Sequence, residues 1–299
     1  MASLEVRRAY LALVIGVFCF SFSSILIRMV DAPAPAIAAY RMILVSLLIA
    51  PIALAKSSQK ILGVSRSDTW FLIATGAVLA IHFLLFVSAV QNTSVANATV
   101  LINSHPVIVA ILAFVLLKEG NRFTAAGAAL GMLGIMVISL ADYGSGNLYG
   151  DVLAFLGAVM EAIYIIMTRF MRKKIDILTF LFFVNTATAI TLVGICLIGN
   201  VPLWPYSNYD LAVFLAMAIV PAGIGYSLYN YSLRWLLAPQ VSVIQLGEAV
   251  FASIMAIFLF SEVPSVSVLL GGLLILGGIL LVVHVNGKKK RLAARGQLT

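Results

Sequence analysis

Ten runs of about twenty apolar residues divide this chain, and no other feature constrains its fold so tightly. A bilayer core takes about 20 residues of helix to cross. The runs lie near 9–30, 35–55, 70–90, 95–117, 123–141, 151–171, 177–199, 210–232, 239–261 and 265–285. Ten spans consume roughly 200 residues of the 299. The remainder covers short connections and two tails, with no room for a soluble domain of about 100 residues. Hydrophobic residues make up 63% of the chain and charged ones 10%, too few charges to face water on all sides. Barrel strands would alternate polar and apolar residues, and these runs do not. The chain therefore reads as an all-α polytopic membrane protein with ten transmembrane helices.

The start, MASLEVRRAYLALVIGVFCF, imitates a signal peptide. Its apolar run continues without a small-x-small cleavage site, so it reads as a retained first span. Cys19 and Cys196 sit inside apolar runs and read as packing thiols rather than a disulfide or metal site. Pro35, Pro239 and Pro264 fall at span starts, where a missing N–H costs little. Pro106 and Pro221 fall inside spans four and eight and are expected to kink them. With the N-terminus inside, seventeen of the 19 Lys and Arg lie on the cytoplasmic side. Only Arg28 and Arg41 fall toward the other face. Topology thus explains the net charge of +8 without a nucleic-acid partner.

The two halves match. Span four ends in LLKEGNRFTAAG and span nine in FLFSEVPSVSVLLGG, each a Glu, a polar link and a Gly-rich helix. Glu119 and Glu262 stand 143 residues apart. At that offset Phe86 meets Tyr229, His105 meets Glu248 and Ser21 meets Tyr164. Five spans per half is odd, so the second half enters the membrane upside down, as in alternating-access transporters. The expected division is 1–145, 146–287 and a basic tail 288–299.

Enzyme classes lack their residues. Every Asp lies in or near a loop, which argues against an intramembrane aspartyl protease. There is no G-x-x-x-x-G-K-[ST] loop, H-E-x-x-H or paired CxxC. Ser145 stands between glycines with no His nearby. No cofactor or metal is expected.

Three motifs carry a family resemblance. They are Pro35, Ala39 and Arg41 opening span two; the Pro-containing span four running into Glu119, Gly127 and Gly134; and span nine running into Glu262, Gly271 and Gly278. Over about residues 9–285 the chain resembles the EamA branch of the drug/metabolite transporters, and within it the YddG-type bacterial amino-acid exporters. The resemblance implies two inverted five-helix repeats in a bacterial inner membrane, with both termini cytoplasmic. It also implies a central cavity lined mainly by spans 1, 3, 4, 6, 8 and 9. Span seven lacks the Pro–Arg opening, so Arg41 has no symmetry mate.

Intramembrane polar groups are costly and should face a cavity or a partner. Glu161 and Glu248 fall near mid-span, with His82 and His105 in spans three and four. Helical spacing puts Gly157, Glu161, Tyr164 and Thr168 on one stripe, and Gln245 with Glu248 on another. Asn97, Leu101 and Ser104 share a face of span four with His105 at its edge, while Asn103 points elsewhere; Tyr226 and Asn230 share a face of span eight. For an amino-acid zwitterion, Glu161 or Glu248 takes the ammonium. His82, Gln245, Asn97 and Ser104 donate to the carboxylate, and Phe83, Phe86, Leu101, Tyr164 and Tyr226 form the wall. Either Glu serves equally as a coupling-proton carrier or as a partner for a cationic drug. Arg41 reads as a structural partner of loop carbonyls or Asp31. Glu119 and Glu262 read as holding their own short turns, and Pro106 and Pro221 as bending points. The partners expected are the bilayer and a small solute, with monomer and homodimer both open.

Overall fold

The computed structural model describes residues 2–93, 98, 101–120, 122–140, 148–248, 250–251, 266–267 and 270–281. Asn97 and Glu262, both singled out above, lie outside the described residues, as do residues 252–265 from span nine to the start of span ten. The described residues are helical, joined by short turns. In chain order the helices are α1 Ala2–Phe20, α2 Phe22–Arg28, α3 Ala34–Leu62, α4 Arg66–Asn92, α5 His105–Leu112, α6 Arg122–Leu140 and α7 Leu148–Arg172. They continue as α8 Ile177–Ile198, α9 Asn208–Met217, α10 Tyr226–Ser232, α11 Ala238–Gln245 and α12 Leu270–Leu281.

Six stretches are long and apolar enough to cross a membrane: Leu4–Ile27, Ala34–Leu62, Arg66–Asn92, Leu148–Arg172, Ile177–Ile198 and Asn208–Ser232. His105–Leu117 and Leu270–Leu281 are shorter apolar helices. The chain is a multi-pass membrane protein. Leu11, Leu47, Phe114, Ile190 and Leu280 present bare apolar side chains outward, as a lipid-facing surface requires. Cys19 and Cys196 are free and buried.

Local chemistry sets the ends. Pro33 caps α3 and Pro35 occupies its first turn. Ser65 caps α4 by accepting from the Asp68 N–H at 3.1 Å, and Asp176 caps α8 through Thr179. Ser207 and Asp210 form a capping box on α9. Packing then joins α3 to α8, α4 to both α7 and α8, and α1 to α10. At the α4–α8 crossing a Cβ on Gly76 would stand 2.6 Å from the Ala187 Cβ and 2.7 Å from the Val184 carbonyl. The backbones touch there, and the Thr188 hydroxyl donates to the Gly76 carbonyl at 2.9 Å. Gly76→Leu is expected to force these helices apart and cost about 3 kcal/mol. Thermal unfolding in detergent measures it, and an unchanged melting temperature contradicts the close approach.

Besides the kink at Ser57 in α3, four spans lose regular α-geometry part-way along among the described residues. Span one breaks at Ser21, between α1 and α2. Span four turns at Asn103 and Ser104, so Pro106 sits in the first turn of α5 rather than inside a continuous helix. Span eight widens into a π-helix, Ala218–Gly225, around Pro221. Span nine turns at Leu246, with no proline to announce it. Leu246 stands 143 residues after Asn103, the offset that relates the two halves. The Ser21 hydroxyl donates to the Glu248 carbonyl at 3.2 Å and to the Val17 carbonyl at 3.2 Å, tying two of the breaks together.

Candidate functional site

The breaks surround a cavity. Phe20, Ser23, Arg41, His82, Phe83, Phe86, Ile102, Asn103, His105, Glu161, Tyr226, Gln245 and Glu248 line it. Discontinuous helices are tolerated at membrane depth where they line such a space, because backbone polar groups then find partners or water. Its free volume is about 50 Å³, on the order of a few water positions. A space of that size holds water but not an amino acid.

Glu161 comes from the middle of α7 and His82 from α4. The His82 Nδ1 lies 3.0 Å from the Gly157 carbonyl; a carbonyl only accepts, so Nδ1 carries the hydrogen. Nε2 then faces the Glu161 Oε2 at 3.4 Å. A neutral Nε2 and a carboxylate would both be acceptors, so attraction needs one further proton on the pair. Among the described residues both Glu161 oxygens, the His105 Nε2 and the Gln245 Oε1 are buried without a hydrogen bond of ordinary geometry. Buried polar atoms left without partners are what a solute or water would satisfy.

Arg41 is the departure from expectation. Helix α3 begins at Ala34, so Arg41 is about 10 Å into it, too deep for loop carbonyls or Asp31. It is 2% exposed. Its Nη1 donates to the Ser23 hydroxyl at 3.1 Å, and its Cζ lies 4.4 Å from the Phe83 ring centroid and 5.8 Å from that of Tyr226. Tyr226 in turn packs on Phe20 at 4.7 Å and Phe83 at 5.2 Å.

The other singled-out residues divide. His82, Phe83, Phe86, Glu161, Tyr226, Gln245 and Glu248 meet at the cavity. Leu101 and Ser104 do not line it; the Ser104 hydroxyl donates to the Leu101 carbonyl of its own turn at 2.6 Å. The turn at Asn103 rephases span four and brings Asn103 and Ile102 to the wall, which reverses the expectation that Asn103 points elsewhere. Tyr164 and Asn230 are not in the lining either, because the Tyr164 hydroxyl donates to the Asn230 Oδ1 at 2.8 Å between α7 and α10. Phe20 and Ser23 were missed; the signal was the SFSS cluster interrupting span one.

Glu119 reaches well beyond its own turn. It accepts from Arg169 Nε at 3.1 Å and Nη2 at 3.0 Å, pairs with Lys173 at 3.0 Å, and accepts from the Ala238 N–H at 3.3 Å. Arg169 also donates to the Leu233 carbonyl at 2.7 Å and the Arg234 carbonyl at 2.9 Å. One carboxylate thus ties span four to the ends of spans six and eight and the start of span nine. Burial pushes its carboxyl upward, but Arg169 and Lys173 together outweigh that and hold it below the usual range.

An apolar multi-pass bundle with a buried polar cavity suits a membrane transporter, and comparison with known proteins indicates that class. The EamA-like transporter family model matches residues 7–140 and again 148–284. The chain belongs to the EamA-like transporter family. A relative from Archaeoglobus fulgidus, described only as an uncharacterized transporter, is 26% identical over 277 residues, 91% of this chain and 95% of its own. Human solute carrier family 35 member G1 is 26% identical over 266 residues, 84% of this chain and 72% of its own. A solved crystal structure of a protein at 17% identity superposes with a TM-score of 0.79, covering 95% of this chain and 99% of that one; it shares the fold.

Proposed function

We propose that the chain is a secondary transporter that exports amino acids, aromatic and other, or similar small metabolites across a bacterial inner membrane. The two inverted halves rock about the cavity, and the aligned breaks serve as the flexing points. The observation that carries this reading is the wall itself. Glu161 and Glu248 offer anionic partners for an ammonium, His82, Asn103 and Gln245 offer polar ones, and Phe20, Phe83, Phe86 and Tyr226 offer an aromatic surface. A ten-span count, cytoplasmic termini and the division near residue 145 belong to the same reading.

A second reading has its own support. Two carboxylates against one arginine suit a cationic drug or quaternary amine, with a proton exchanged at Glu161. Reconstituted liposomes separate the two. Radiolabelled leucine and phenylalanine are expected to enter saturably and to compete, with and without a pH gradient. Folded protein that moves tetraethylammonium and no amino acid transfers the assignment to cations.

A further inference from the structure

Arg41 is carried into the membrane at a cost of several kcal/mol, and the bundle itself returns little of it. A guanidinium has five donors, yet among the described residues its one hydrogen bond is to Ser23. Nε is buried without a partner. Among the described residues no carboxylate lies within the 4.0 Å of an ion pair with it. Phe83 and Tyr226 lie beside the group, which itself lines the cavity and so keeps donors free for a solute. A guanidinium fork fits two coplanar oxygens.

We infer that Arg41 receives the carboxylate of the transported solute, so that a free carboxylate is required for passage. The inference rests on reading the cavity as the solute path. A phosphate would also match the fork, but its second charge would face Glu161 and Glu248 across a space of about 50 Å³. A zwitterion adds no net charge: its carboxylate meets Arg41 and its ammonium meets the two glutamates. Arg41 is thus the specificity residue that separates acids from their neutral and cationic analogues.

The test is a matched panel in liposomes: leucine and phenylalanine, their α-amides, their decarboxylated amines, and tetraethylammonium. Wild type is expected to favour the acids by about 100-fold in kcat/KM over the amides, the scale of a lost buried charged contact. Arg41→Gln loses the acids to the same degree with unchanged melting and elution, and Arg41→Lys, which keeps charge without the fork, recovers part. Equal transport of acids and amides by wild type overturns the inference while leaving the transporter standing. Transport of the amines alone overturns both the inference and the amino-acid reading. Because the acid–amide comparison uses wild type, the result does not depend on Arg41→Gln folding.

Discussion

Glu161→Gln is expected to cut kcat/KM for the transported solute by about 100-fold, as removing one partner of a buried charged pair costs. The fold should survive, because the amide N–H₂ can donate to the His82 Nε2 that Glu161 now faces at 3.4 Å. The chemistry is what changes. His82 already spends its Nδ1–H on the Gly157 carbonyl, so the pair needs a mobile proton between Nε2 and the carboxylate. Glutamine supplies a fixed hydrogen instead. Whatever response wild type shows to a pH gradient should therefore vanish in Glu161→Gln, while melting stays the same. Glu161→Gln that transports at the wild-type rate, with the same gradient response, removes Glu161 from the path and reduces it to a packing group.

Glu119→Gln is expected to lower stability by about 2–3 kcal/mol at neutral pH. Arg169 is 7% exposed and would be left buried without its anion, which accounts for the size. Lys173 is 47% exposed along its side chain and can turn to water, which keeps the loss at the lower end. The sign with pH follows from the pairing. A carboxyl held below its unfolded value stabilises fully above the ordinary carboxylate range, and loses that contribution as pH falls through its folded value. The wild-type and Glu119→Gln melting curves should thus lie apart at pH 7 and converge only below the ordinary carboxylate range, toward about pH 2. Curves separated by the same interval at both pH values would contradict the ion-pair account. Because the network joins spans four, six, eight and nine at one end, this variant should also open that end more readily. Faster alkylation of a thiol placed at Lys118 is the readout.

Much of this architecture was written in hydropathy. The six long stretches and the shorter His105–Leu117 helix fall where apolar length put them, because a bilayer leaves a chain few alternatives. The repeat was legible in the offset of Glu119 and Glu262, though Glu262 lies outside the described residues. The cavity was half legible. Glu161, His82, Gln245 and Glu248 were found because polar groups in apolar runs need a reason. Helical spacing failed at span four, since it assumes a continuous helix and the turn at Asn103–Ser104 resets the phase. The turn at Leu246 carries no proline, and at Ser21 the SFSS cluster is the one sequence sign of the break. The bond from Arg41 to Ser23 joins two spans, and sequence spacing carries no sign of such a contact. Arg169 was hidden among charges that topology explains: its sign was legible, and its partner 50 residues away was not.

Alternating access through this cavity is tested most directly by exchange. Liposomes carrying the protein would be preloaded with unlabelled leucine or left empty, and the initial entry of labelled leucine compared. A carrier that returns faster loaded than empty is predicted to show several-fold stimulation by internal leucine, saturating on both sides. Entry that is linear in concentration and indifferent to internal leucine would contradict the account and mark a passive pore.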